Sequence, residues 1–167
     1  MAAGTRIKYP DNSLPVIIEP VIKGAKDLDR AKVPDPEKDG RMSFAVEMYH
    51  IHSRHLGKYL NLNFDGCAPF SIAVGLRGFI NLAFDKANDP DFAHRLLQYS
   101  TDVAIEYGKF IYSNTGRPVS FTDARASIPN ISPAQWDEFA FPYTTQLLKA
   151  VPGAWTGMWG FSSHGTD

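Results

Sequence analysis

The sequence predicts an α/β fold made of parallel βαβ units. Three observations carry that reading. Leu60, Leu62 and Phe64 alternate with polar Asn61, Asn63 and Asp65; a long helical stretch opens at Asp89-Pro90; and a second apolar run, Val119-Ser120-Phe121-Thr122-Asp123, precedes a helix start at Ser132-Pro133. Strands joined through helices of this length return to the same sheet by a crossover, and such strands run parallel. Asp123 then stands at the carboxyl end of a strand, where folds of this class place their binding groups.

Residues 1–36 read as a Pro-rich extended arm packed on a domain that spans residues 37–167. Pro10, Pro15, Pro20, Pro34 and Pro36 deny helix and hold the backbone in extended or turn forms. Within the arm, Val16-Ile17-Ile18 is a short strand and Asp27-Leu28-Asp29-Arg30 a single helical turn. From Arg41 to Leu56, Phe44, Met48 and Ile51 recur at helical spacing, with Ala45 and Tyr49 widening the stripe and Gly57 stopping it. The alternating run from Leu60 is a half-buried strand broken by Gly66 and Pro69. A helical segment follows from Phe70 to Ala87. In the long helix after Asp89, Leu96, Val103, Tyr107 and Phe110/Ile111 form the buried stripe, and Asn114-Thr115-Gly116 ends it. Ser132 is a good N-cap, Pro133 suits the first helical position, and Gln135 can complete a capping box for a helix that carries Phe141-Pro142-Tyr143. Pro152-Gly153 leads to a third strand, Trp155 to Phe161.

Composition narrows the function classes. With 17 basic against 18 acidic side chains there is no strong net field, so an electrostatic case for nucleic acid or an anionic membrane fails. A hydrophobic content of 44% argues against disorder. The single cysteine, Cys67, excludes an intrachain disulfide and fits a reducing cytoplasm. No leading segment resembles a signal peptide, and no run approaches the roughly 20 apolar residues of a membrane span. The expectation is a soluble cytoplasmic protein.

Several motifs then fall in order. Ala68-Pro69-Phe70-Ser71 is similar to a Gly-Pro-Phe-Thr turn, and Asn88-Asp89-Pro90 leads into Leu96-Leu97, Thr101-Asp102 and Ile105-Glu106-Tyr107. Asp123-x-x-Ala126-Ser127, Ile131-Ser132-Pro133 and Phe141-Pro142-Tyr143 follow at matching spacing, and Lys32 to Arg41 adds a further likeness. Together they resemble the uroporphyrinogen decarboxylase superfamily, above all its corrinoid-linked (cobamide) methyltransferase type, from about Leu14 to Ala150. The resemblance implies a TIM-type (β/α) barrel. Such a barrel takes eight strands and about 250 residues, whereas this chain supplies three or four strands. It is therefore expected to be a partial barrel, an internal portion of the family fold, either a fragment or a split protein that completes its sheet by homo-oligomer formation or with a complementing chain.

Carried over position by position, the resemblance implies methyl transfer with a corrinoid as substrate or on a partner protein. The alternatives are tetrapyrrole decarboxylation and a non-catalytic half-barrel that binds or scaffolds a partner. Gly75 stands where the decarboxylases have a tyrosine, Ala124 where they have a serine, and their amino-terminal arginine motif is absent. The zinc site of the methyltransferases uses a His-x-Cys pair, for which Ser162-Ser163-His164 is the nearest equivalent. No metal and no cofactor is expected to be held by this chain alone. Asp123 is the candidate catalytic residue, with Phe70, Arg125 and Tyr143 as candidate substrate contacts. Asp123 either meets a ligand or caps the loop that follows it. Arg125 either meets an anionic group or serves as a surface charge or partner of Asp123. His50, His52 and His55 read as a solvated helix end, and Cys67 as a small buried hydrophobe.

Overall fold

A computed structural model describes residues 3–13, 15–127 and 129–157. Along the chain come β1 (Ile7–Lys8), β2 (Val16–Ile17), α1 (Ala25–Arg30), α2 (Met42–Leu56), β3 (Phe64–Cys67), α3 (Pro69–Arg77), α4 (Phe79–Asn88), α5 (Pro90–Thr115), β4 (Val119–Thr122), α6 (Pro133–Phe139), α7 (Phe141–Ala150) and β5 (Trp155–Gly157). β1 and β2 form an antiparallel ribbon, and β3, β4 and β5 an all-parallel sheet in that order. Cys67, Thr122 and Gly157 lie side by side across the carboxyl end of the sheet. The described residues form a mixed α/β structure with a parallel sheet and no closed barrel.

Local chemistry accounts for the strongest elements. Asp89 caps α5 by accepting from the Phe92 N–H at 3.1 Å, Pro90 occupies the first helical position, and Gly116 closes the helix at φ 66°. The capping box of Ser132 and Gln135 starts α6. Two clusters make the core. One lies between α3, α4, α5 and α6, with Phe70, Leu82, Leu96, Leu97 and Trp136 buried; the other packs Phe64, Ile111, Val119, Phe121, Leu147 and Val151 between the sheet, α5 and α7. The segment before α2 joins the first cluster through Ile22 and Leu28. Arg77 fixes it there: its guanidinium grips Asp85 at 2.7 and 3.0 Å, donates to the Lys23 carbonyl at 2.7 Å and lies over the Phe92 ring.

Five expectations need correction. The strand is Phe64–Cys67, not Leu60–Asp65, because Arg117 takes the Leu62 carbonyl and the Asn61 side chain and thereby removes that segment from the ladder. Gly66 is a strand residue and not a breaker: a Cβ there would come 2.9 Å from Cε1 of Phe121, so glycine lets the neighbouring ring lie across it. The segment after Phe70 is two helices, since Gly78 at φ 85° turns the chain between α3 and α4. The helix from Ser132 is also two, breaking at Ala140 before Pro142. In α2, Ala45, Val46 and Tyr49 pack on the sheet cluster while Phe44 and Ile51 of the expected stripe are exposed. The third strand is observed at Trp155–Gly157; its expected continuation to Phe161 lies outside the described residues.

Gly108 sets how closely α5 approaches the sheet. A Cβ at this position would lie 2.8 Å from Val151 Cγ1 and 3.0 Å from Phe121 Cζ. Alanine is the better helix former by roughly 1 kcal/mol, so Gly108→Ala would stabilise an uncrowded helix. Here overpacking wins, and we expect the substitution to lower unfolding free energy by about 1–2 kcal/mol. Urea denaturation of Gly108→Ala with and without Val151→Ala checks this. The second change should recover part of the loss, whereas a stabilised single variant would contradict the packing argument.

Candidate functional site

The site is built where β3 and β4 end. The ladder runs one step past the strands, with the Ala68 N–H donating to the Thr122 carbonyl at 3.0 Å, and this brings the start of α3 beside Asp123. The N-cap residue of α3 is Ala68, which has no side-chain oxygen to cap the first turn. Asp123 supplies that acceptor from the neighbouring strand. Its Oδ1 accepts from the Ser71 N–H at 3.0 Å and from the Ser71 hydroxyl at 2.6 Å. The ring of Phe70 is buried, and its N–H adds a favourable contact to the same carboxylate.

Asp123 is only 1% exposed, and its second oxygen, Oδ2, has no hydrogen-bond partner among the described residues. Burial pushes its carboxyl up to about 6, against the downward pull of the two Ser71 hydrogen bonds and of the nearby Phe70 backbone N–H. The loop beyond it is tightly tied. Ala126 N–H donates to the Asp123 carbonyl at 3.2 Å, Ser127 Oγ to the Ala124 carbonyl at 3.2 Å, and the Arg125 N–H to Ser71 Oγ at 3.3 Å. The carboxylate thus caps a helix 52 residues away in sequence, not the loop that follows it.

Of the other candidates, Phe70 is brought to Asp123 through its backbone. Arg125 is exposed on the adjoining loop, and its guanidinium does not pair with the carboxylate. Tyr143, half-buried on α7, is engaged elsewhere: its hydroxyl meets His94 Nδ1 at 2.8 Å and donates to the His94 carbonyl at 3.3 Å, and His94 stacks on Phe139. Cys67 is exposed, which corrects the buried reading; it ends the edge strand of the described sheet. Desolvation by surrounding protein and then the Asp123 charge push its thiol up, away from nucleophilic use. Sequence reasoning quoted Ser71 without giving it a role. The usable signal was a helix start with no cap of its own.

Among the described residues, no group of three or more His, Cys, Asp or Glu side chains comes together as a metal site. Ser162, Ser163 and His164 lie outside the described residues. No described helix is long and apolar enough to cross a membrane.

Fold and site define an α/β protein with its polar site at the carboxyl ends of parallel strands. Residues 1–166 match the family model described as Uroporphyrinogen decarboxylase (URO-D), and the chain belongs to that family. It is similar to the uroporphyrinogen decarboxylase of Syntrophotalea carbinolica, 28% identical over 141 residues that cover 81% of this chain and 40% of the relative. It is also similar to the methylcobamide:CoM methyltransferase MtbA of Methanosarcina acetivorans, 27% identical over 152 residues that cover 89% and 43%. A solved structure of a methyltransferase from Methanosarcina mazei superposes with a TM-score of 0.84 at 21% identity, covering 95% of this chain and 48% of that one; at that identity the likeness speaks to the fold. The chain spans less than half the length of the relatives it matches.

The raised Asp123 carboxyl has a stability consequence. Its folded value of about 6 lies above the ordinary 3.8, so its contribution to stability is complete below pH 3.8 and is lost as pH rises through about 6. A shift of about two units corresponds to at most roughly 3 kcal/mol. Asp123→Asn keeps an acceptor for Ser71 without the charge. We expect it to melt several degrees above wild type at pH 7, with the gap closing toward pH 4; an equal effect at both values would contradict this.

Proposed function

We propose that this chain works as an internal portion of a (β/α)-barrel protein of the corrinoid-linked methyl-transfer type, with the Asp123 end of the sheet facing a corrinoid. That corrinoid is a substrate or is carried on a partner protein, and it supplies the methyl-carrying chemistry. The observation that carries the reading is the buried, unpaired Oδ2 of Asp123 at a strand carboxyl end. A carboxylate oxygen without a partner calls for an N–H or O–H donor, and the rim of a corrin is rich in uncharged amides. A porphyrinogen rim is rich in carboxylates, which would need cations around them. Beside Asp123 the adjoining loop offers only Arg125. Gly75, in place of the decarboxylase tyrosine, lies under Ile17, whose Cδ1 is 3.6 Å from where a Cβ would be.

In this reading Asp123 orients the ligand, Phe70 backs the site from the core and Arg125 takes an anionic group at the rim. Tyr143 fixes α7 to α5 through His94 and takes no part in the Asp123 arrangement. The parallel sheet is completed by a second copy or a complementing chain, because open parallel edges are poorly tolerated in water. The described edges β3 and β5 also favour a second reading, a half-barrel that scaffolds a partner without chemistry of its own.

Titrating the chain with hydroxocobalamin and with a porphyrinogen analogue, followed by absorbance, separates these readings. Methyl-transfer type predicts corrinoid binding at tens of micromolar or tighter, weaker binding of the porphyrinogen analogue, and at least a tenfold loss of corrinoid affinity in Asp123→Asn. Binding of neither ligand, by the chain alone or with its partner, would leave the scaffold reading.

A further inference from the structure

We infer that Ser71 is a positioning residue that holds Asp123 by one oxygen and leaves the other, Oδ2, to meet an N–H or O–H group of the ligand. The inference rests on the functional reading above. Both hydrogen bonds from Ser71 fall on Oδ1, the backbone N–H at 3.0 Å and the hydroxyl at 2.6 Å. The hydroxyl has one proton to give, and one of its two lone pairs accepts from the Arg125 N–H at 3.3 Å. One side chain therefore ties the start of α3, the carboxylate and the loop after β4 into a single arrangement. With Oδ1 occupied by two donors, Oδ2 is the atom left for a ligand. It is also the oxygen that takes the proton when the carboxyl is neutral, so the site offers an acceptor in one state and a donor in the other.

Cys67 at the end of β3 feels the Asp123 charge, Arg125 stands exposed on the loop, and Lys86 of α4 places its ammonium 5.3 Å from the Phe70 ring. None of them hydrogen-bonds to Asp123. The hydroxyl of Ser71 is thus the side-chain group on which the carboxylate depends.

Carbon-13 NMR of the full chain, with the Asp123 signal assigned by its loss in Asp123→Asn, reads the carboxyl midpoint without ligand. Wild type and Ser71→Thr should share a midpoint near 6, and Ser71→Ala should move it up by roughly one unit. The pH at which hydroxocobalamin affinity changes should move with it, and Thr should restore both. An unmoved midpoint in Ser71→Ala overturns the proposal. A moved midpoint with an unmoved binding profile also overturns it, because Ser71 would then act on the fold alone. If Ser71→Ala does not fold, Ser71→Cys, a weaker donor of similar size, is read by the same criteria. If no variant and not wild type binds hydroxocobalamin, the functional reading falls, while the ligand-free midpoint still decides whether Ser71 sets the carboxyl.

Discussion

A carboxylate buried with no counter-ion among the described residues sits where β4 meets α3, and the surrounding structure is arranged around it. Two deficits offset each other there. α3 starts with an uncapped first turn, whose N–H groups and dipole call for negative charge, and Asp123 has lost its water and calls for donors. Ser71 satisfies both. The match is incomplete, since Oδ2 has no partner among the described residues and burial outweighs the hydrogen bonds in raising the carboxyl. Asparagine would fill the same role at lower cost at neutral pH. A charge retained where it destabilises the fold is the kind of local strain that marks a functional position.

The remaining elements hold that junction in place. The parallel register aligns the ends of three strands, so that the segment after β4 and the start of α3 meet at the carboxyl end of the sheet. Gly108 allows α5 to lie close against Phe121 and Val151, which fixes β4 from behind. Arg77 closes the far end of α3 against α4 and the segment before α1. α3 is thus anchored at both ends, by an aspartate from the sheet at its start and by an arginine network at its finish. Such rigidity suits a site that must aim a single oxygen.

How much of this was legible depends on the range of the interaction. α5 and the start of α6 were readable because Asp89, Pro90, Gly116, Ser132 and Gln135 act within a turn or two of their own position. β4 was readable from its apolar run, and the family from motifs in register. The register of β3 was not, because Arg117 withdraws Leu62 from the ladder across 55 residues. The packed face of α2 was legible in Ala45 and Tyr49 but not in Phe44 and Ile51, which are exposed because tertiary packing turned the side with Val46 to the sheet. Asp123 was visible as a strand-end acid. Its helix-capping role was not, since the partner, Ser71, is 52 residues away and only the fold brings them together.

The central claim is that Oδ2 of Asp123, buried and unpaired among the described residues, takes a donor from a ligand, and a crystal structure of the chain with a bound corrinoid, together with any completing partner, tests it most directly. The account predicts a ligand N–H or O–H within hydrogen-bond distance of Oδ2, with Ser71 still on Oδ1. A structure in which Oδ2 is paired by the protein itself and the corrinoid lies elsewhere would contradict it and reduce Asp123 to a helix cap.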